Sequence, residues 1–276
     1  MIRLGLIGYP LGHSLSPKLH NAALRYCDLP GEYSLFPIEP ENLQGLKDVL
    51  GRVRSGDITG LNVTIPHKRT VIPWLDELTE TAEAISAVNT IHLHNKRLIG
   101  DNTDAPGFLA DLNKFLAGLG VREKEALLLG AGGSARAVVY ALLKDGWKTI
   151  IAARRIEQAQ QLADSFPNYE LRITDNTLAK IDLSRISLIV NATPVGMFPD
   201  AEQSPWPENL PFPPRAAVYD LVYNPRETKL VKDAHLQGFQ AITGRGMLIE
   251  QAALAFELWT GKKVSREVMS SALEDS

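Results

Sequence analysis

The stretch ALLLGAGGSARAVVYALL, residues 126–143, carries the fold in its local order. Its opening apolar run reads as a strand covered on both faces, as in a parallel sheet. A glycine-rich turn follows at once, and residues 137–143 have the content of a helix packed back on that strand. Gly130 permits the tight turn, Gly132 lets the backbone approach a pyrophosphate, and Ala135 is small where helix must lie close to strand. Together with Ala131, Gly133 and Ser134 they form a loop whose amides, at a helix N-terminus, face an anion. An earlier glycine-bearing stretch, GLIGYPLG at 5–12, lacks this property because Pro10 removes an amide where a phosphate cradle needs one.

Downstream, strand-like runs recur at 149–153, 187–190 and 218–222, separated by helical spacing such as 157–166. This is a βαβ series, and it predicts a Rossmann-type, doubly wound parallel sheet. The tip of the next strand, where a carboxylate would hydrogen-bond the ribose hydroxyls of NAD, carries Arg154 and Arg155 instead. Paired guanidinium groups suit a 2′-phosphate by charge and by forked geometry, so the predicted cofactor is NADP. The segment 204–214, with five prolines, is expected to be a surface loop.

Upstream, residues 2–7 read as a strand, the stretch after Ser16-Pro17 as a helix, 33–37 as a strand, 41–50 as a helix and 60–65 as a strand. Residues 71–84 then read as a helix, 87–94 and 97–99 as strands, and 104–116 as a helix with Pro106 in its first turn. The alternation predicts an N-terminal α/β domain ahead of the dinucleotide domain, with a cleft between them. Helix 247–259 places Leu248, Ala252, Ala255, Phe256 and Trp259 on one broad apolar face that needs a surface to cover it. The expected domains are 1–104, joined by C-terminal helices 245–276, and 105–244.

The chain has 276 residues, 45% hydrophobic and 22% charged, enough for two cores. With 29 basic and 32 acidic residues, net charge -3 and no basic block, a nucleic-acid partner is disfavoured. No apolar run reaches bilayer length and the N-terminus enters a strand-like pattern, so no membrane partner and a cytoplasmic location are expected. The single cysteine, Cys27, reads as a mid-helix thiol without a catalytic role. His67, His92 and His94 suggest a metal site, but no third ligand stands near the strand pair, so they read as solvent-facing strand residues and no metal is expected.

Nothing in the spacing of residues such as Lys68 and Asp104 shows that they meet. A longer pattern does bear on them. GHSLSP at 12–17, NVTIPHK at 62–68, AVNT at 87–90, GDNTD at 100–104, the 130–136 loop, NATPVGM at 191–197, YDLVY at 219–223 and GMLIEQAALAFELW at 246–259 occur in order. Through these motifs the chain resembles the shikimate dehydrogenase family along nearly its whole length. The resemblance implies NADP-dependent, reversible reduction of 3-dehydroshikimate to shikimate, within aromatic amino acid (chorismate) biosynthesis.

By that resemblance Ser14, Ser16 and Tyr223 bind the substrate carboxylate, and Thr64, Asn89, Asp104 and Gln251 hydrogen-bond the ring hydroxyls. Two hydroxyls ahead of a helix suit an anion, and a polyol is read by groups that both donate and accept. Lys68 and Asp104 match the family's catalytic pair, with the ammonium countering charge that develops on the ring oxygen and the carboxylate positioning it. Gly244 and Met247 map near the nicotinamide, Leu221 beside it, and Glu80 near the cleft. One departure stands at the strand tip, where Ala153-Arg154-Arg155 replaces the family's frequent Asn-Arg-Thr.

Two rivals share these features. A quinate dehydrogenase would accept an extra hydroxyl at the carbon bearing the carboxylate, and the serines Ser14 and Ser16 argue for shikimate instead. A metabolite sensor on the same fold would have no use for Lys68 and Asp104. A monomer or a homodimer is compatible with the composition.

Overall fold

The computed structural model describes residues 1–121, 123–179 and 181–274. Along the chain run β1 (Ile2–Gly8), α1 (Ser16–Tyr26), β2 (Gly31–Pro37), α2 (Leu43–Arg54), β3 (Gly60–Val63), β4 (Glu77–Leu78), α3 (Glu80–Ile85), β5 (Thr90–His94) and β6 (Arg97–Asp101). There follow α4 (Asp104–Leu116), β7 (Glu125–Leu129), α5 (Gly133–Lys144), β8 (Lys148–Ala152), α6 (Ile156–Ala163), β9 (Leu171–Thr174) and β10 (Leu188–Asn191). The last elements are β11 (Ala217–Asp220), α7 (Lys229–Leu236), β12 (Ala241–Thr243), α8 (Arg245–Thr260) and α9 (Arg266–Glu274). Two compact units result, Met1–Gly107 with Ile249–Ser276, and Phe108–Leu248, so the divisions fall within α4 and α8.

The second unit is the doubly wound sheet that its opening strand predicts. Its order is β12-β11-β10-β7-β8-β9, and every pairing is parallel. The chain starts at the centre with β7, runs out to β9, returns beside β7 as β10 and runs out to β12. The winding therefore reverses between β7 and β10, the position where sheets of this kind bind ligands beyond their strand ends. All of β7 is buried, as a central strand covered on both faces must be. The proline-rich segment 204–214 forms neither helix nor strand, yet it is more than a surface loop. Its Trp206 and Phe212 stack with centroids 5.1 Å apart and enter the core with Leu127, Ile189 and Val218.

The first unit has a mixed sheet, β2-β1-β3-β5-β6-β4. β1 pairs parallel with β2 and β3, β3-β5-β6 are antiparallel, and β4 joins β6 parallel. Leu46, Leu50 and Val53 of α2 cover one face with Leu61 and Ile91. The returning helix α8 brings Phe256 and Trp259 into the same unit, where Ala252, Ala255 and Phe256 are fully buried. A Cβ on Gly60 would lie 2.2 Å from the Trp259 ring, so only glycine there admits the indole, whose N–H donates to the Ile91 carbonyl at 3.1 Å.

Three local readings are corrected. Residues 71–84 are not one helix. They form a 3-10 turn at Ile72–Trp74, then β4 and α3. Pro73 sits within the short turn and has no amide to extend it into a longer helix, and Asp76 is drawn to the sheet because its amide donates to the Leu98 carbonyl at 2.9 Å and its carboxylate accepts from the Leu98 amide at 2.7 Å. Cys27 is the C-cap of α1 rather than a mid-helix residue. The strand expected at 87–94 begins only at Thr90, leaving Asn89 just outside it. No helix among the described residues is long and apolar enough to cross a membrane.

Candidate active site

The first unit brings Lys68 and Asp104 together across 36 residues of sequence, with Lys68 Nζ donating to Asp104 Oδ2 at 2.6 Å. Their side chains are only 12% and 10% exposed, so solvent screens this pair far less than a surface one. The geometry has local causes. Lys68 lies in the turn after Pro66, and its carbonyl accepts from the Val88 amide at 2.8 Å, tying that turn to the segment before β5. Asp104 opens α4, where Asn102 Oδ1 accepts from the amides of Asp104 and Ala105 at 3.1 and 3.3 Å and caps the helix. Asn89 Nδ2 donates to the second oxygen, Asp104 Oδ1, at 2.9 Å, while its own Oδ1 accepts from the Thr103 amide at 2.7 Å. Both carboxylate oxygens are thus held, and the ammonium has one defined partner.

Ser14 and Ser16 also meet, since the Ser16 amide donates to Ser14 Oγ at 3.3 Å in the turn that opens α1. Thr64 stands one residue beyond β3, its amide donating to the Ile7 carbonyl at 2.8 Å. Gln251, buried on α8, lies against α4, because a Cβ on Gly107 would lie 2.8 Å from the Gln251 backbone nitrogen. That contact is one helical turn from Asp104. Glu80 is exposed in the first turn of α3 and is not hydrogen-bonded to this cluster among the described residues.

In the second unit the candidate dinucleotide residues follow from one row across the sheet. Ala152, Leu129, Asn191, Asp220 and Thr243 are successive register partners. Gly130, Leu221 and Gly244 each come next in the chain after a member of that row, and Arg154 and Arg155 stand within three residues of another. Gly130 has φ +106, and a Cβ there would lie 2.8 Å from Thr193 Cγ2, so the turn needs glycine on both counts. Gly132 is the N-cap of α5 and Gly133 its first residue, four residues earlier than the apolar run alone suggests. A Cβ on either would meet nothing within 4 Å, which leaves open space over the helix amides. Ala131, Ser134 and the fully buried Ala135 complete the loop.

Arg154 and Arg155 are exposed beyond β8, and neither guanidinium has an ion-pair or hydrogen-bond partner among the described residues. Open amides at a helix N-terminus and two free guanidinium groups fit a pyrophosphate and a 2′-phosphate. A Cβ on Gly244 would lie 2.3 Å from the Leu221 carbonyl, so these two candidates touch. Met247 is buried on α8. Tyr223 lies just beyond β11, where burial pushes its hydroxyl pKa above the usual value.

Sequence reasoning overlooked several polar groups. Tyr33 donates to Asn62 Oδ1 at 2.8 Å, Asn62 Nδ2 donates to Thr90 Oγ1 at 3.3 Å, and Thr90 donates to Asn89 Oδ1 at 3.0 Å, a buried line ending at the Lys68 cluster. Asn191 and Asp220 each close a buried, otherwise apolar strand end with a polar side chain, the signal in the sequence that marks them. The reading of the histidines as solvent-facing strand residues fails at His67 and holds at His94. His67 is fully buried off any strand, with its Nε2 2.7 Å from the Ile38 carbonyl oxygen. His92 is partly buried and its pKa is lowered, mainly by burial, while His94 is exposed. No group of three metal-ligating side chains occurs among the described residues.

Comparison with known families agrees along the chain. The family profile described as "Shikimate dehydrogenase substrate binding domain" matches residues 6–91, "Shikimate / quinate 5-dehydrogenase" matches 112–196, and "Shikimate 5'-dehydrogenase C-terminal domain" matches 244–274. The shikimate dehydrogenase (NADP(+)) of Salinibacter ruber is 43% identical over 275 residues, 97% of this chain and 95% of that protein. A crystal structure of a shikimate dehydrogenase in complex with NADP+ is 39% identical with TM-score 0.91, covering 100% of this chain and 95% of that one. That of the Thermus thermophilus enzyme in complex with NADP(H) and shikimate is 38% identical with TM-score 0.87, covering 100% and 99%. On this extent of identity, the chain belongs to the shikimate dehydrogenase family.

Proposed function

We propose that this protein is an NADP-dependent oxidoreductase that interconverts 3-dehydroshikimate and shikimate in the pathway to chorismate. The observation that carries the reading is the Lys68–Asp104 pair at 2.6 Å, nearly buried and further held by Asn89. Residues 1–104 with 245–276 take the substrate and residues 105–244 take the dinucleotide. Gly130 to Ala135 hold the pyrophosphate on the amides of α5, and Arg154 and Arg155 select the 2′-phosphate. Leu221, Gly244 and Met247 border the nicotinamide, with Glu80 near the cleft. When bound, NADPH supplies the hydride to the ring carbonyl carbon, and NADP+ takes it back in the reverse reaction.

The chain's own groups manage charge and protons. Ser14, Ser16 and Tyr223 donate to the substrate carboxylate, and Thr64, Asn89, Asp104 and Gln251 read the ring hydroxyls. In reduction Lys68 gives a proton to the ring oxygen as negative charge builds there, and in oxidation it accepts the hydroxyl proton. Asp104 keeps the amine aimed. Quinate is the weaker substrate, by about 10- to 100-fold in kcat/KM, since one extra hydroxyl in such a pocket changes selectivity by about 1–3 kcal/mol. The working form is cytoplasmic, a monomer or a homodimer.

The test is NADPH formation with shikimate and NADP+, repeated with Lys68→Ala. The expected result is turnover by the wild type and a loss of about 10²–10⁴-fold in the variant, with shikimate binding retained. Ligand binding without turnover in the wild type would instead identify a sensor.

A further inference from the structure

The carboxylate of Asp220 takes no part in the reaction above, yet it lies in the register row from which the dinucleotide residues issue. It is fully buried at the end of β11. Its Oδ1 accepts from Asn191 Nδ2 at 2.8 Å and from the Val222 amide at 3.0 Å, and its Oδ2 accepts from Thr228 Oγ1 at 2.6 Å. Asn191, also fully buried, turns its own Oδ1 to the amide and hydroxyl of Thr193, at 2.9 and 2.7 Å. Thr193 in turn presents its methyl to Gly130, where a Cβ would come within 2.8 Å of it.

We propose that Asp220 is a positioning residue of the dinucleotide site, acting through Asn191 and Thr193 on the Gly130 turn and through Val222 on the segment that carries Leu221. The proposal rests on the cofactor reading given above.

Each step has a physical cause. An asparagine amide can rotate to exchange its oxygen and nitrogen, and a neighbour that only accepts fixes which end faces it. Asp220 fixes the nitrogen towards itself, so the oxygen must face Thr193. Once both its amide and its hydroxyl are bound, Thr193 cannot swing its methyl away from Gly130. These contacts join β11 to β10 and β7, the two strands that flank the reversal of winding, where an open sheet binds its ligand. Burial pushes the Asp220 carboxyl up to about 6. At neutral pH the group is then largely ionised, and an ionised acceptor holds its donors more strongly than a neutral one. A hydrophobic residue of similar size would spare the cost of burying that charge, but would leave the Asn191 amide nitrogen only its longer bond to the Val195 carbonyl, at 3.3 Å.

The experiment compares full-length wild type, Asp220→Ala, Asp220→Asn, Thr228→Val and Thr193→Val, measuring the NADP+ dissociation constant by calorimetry, KM for each substrate, and Tm. Asp220→Ala is expected to weaken NADP+ binding at least tenfold while the shikimate KM stays within about threefold. Asp220→Asn keeps an acceptor towards Asn191 and should restore binding to within about threefold of wild type. Thr228→Val removes the bond on the far side of the carboxylate and the cap that Thr228 Oγ1 gives the Val231 amide at the start of α7, so it should lower Tm and leave NADP+ binding within twofold. Thr193→Val removes the hydroxyl that binds Asn191 Oδ1 and accepts from the Val195 amide, so the side chain loses its fixed rotamer, and this should weaken binding three- to tenfold, which keeps the test alive if Asp220→Ala does not fold. Unchanged NADP+ binding in Asp220→Ala or in Thr193→Val, or equal weakening in Thr228→Val, overturns the proposal. A wild type that does not bind NADP+ overturns the cofactor reading itself, whatever the variants do.

Discussion

An imidazole with no room to be charged is the sharpest single-residue feature of the first unit. His20 is fully buried, stacked on Tyr33 with centroids 4.4 Å apart and planes at 3°, and flanked by Trp259 at 5.3 Å. Burial lowers its pKa to about 3 from the ordinary 6.5. The sign follows from linkage. Below pH 6.5 the unfolded chain takes up a proton that the folded one refuses, so the stability this residue gives above 6.5 drains away as pH falls towards 3. A tenfold difference in proton affinity is about 1.36 kcal/mol, so about 2–3 kcal/mol should go between pH 6.5 and 4.5. Replacing the ring by a non-titrating one of similar shape, His20→Phe, removes this contribution. Urea unfolding at both pH values should show wild type losing about 2–3 kcal/mol more than the variant; parallel losses would mean that His20 does not resist protonation.

At the scale of elements the tip of β8 is the proposed discriminator of the cofactor. Two guanidinium groups follow Ala153, and among the described residues neither has an ion-pair partner. Arg154→Ala with Arg155→Ala should therefore raise the KM for NADP+ about 10- to 100-fold, the worth of a charge-assisted contact or two, and leave the KM for NAD+ within about twofold. Equal loss for both dinucleotides would place the arginines elsewhere than at the 2′-phosphate. This element was legible in advance because strand, turn and helix follow one another within a few residues, so β7, the Gly130 turn and α5 declare themselves locally. Residues 71–84 were misread for the opposite reason. Their apolar spacing suits a helix, and what breaks it is the distant pairing of Asp76 with Leu98 on β6, although Pro73 was a warning in plain view. Lys68 with Asp104, and Asn191 with Asp220, likewise meet only after strands far apart in sequence align, so spacing could suggest residue types but no partners.

For the whole molecule the consequential feature is that the first unit is completed by the chain's end. Residues 249–274 return to it after the second unit has been made, and their anchor is Trp259, which fills the space over Gly60, packs beside His20 and donates to the Ile91 carbonyl. Gln251, a candidate substrate ligand, is delivered by the same helix. The second unit owns a separate core built on Leu127, Ile150, Ile189, Val218 and Trp206. A lesion at the anchor should therefore weaken one unit and spare the other. Trp259→Ala removes a large buried ring and its hydrogen bond to the Ile91 carbonyl, which costs about 3–5 kcal/mol. Scanning calorimetry of this variant should resolve two transitions, the lower one belonging to the unit that carries Ser14, Lys68 and Asp104. A ligand raises the melting temperature only of the fold that binds it. Added NADP+ should accordingly move the upper transition and added shikimate the lower. A single transition shifted equally by both ligands would show that the two cores melt as one and that the closing helix serves both.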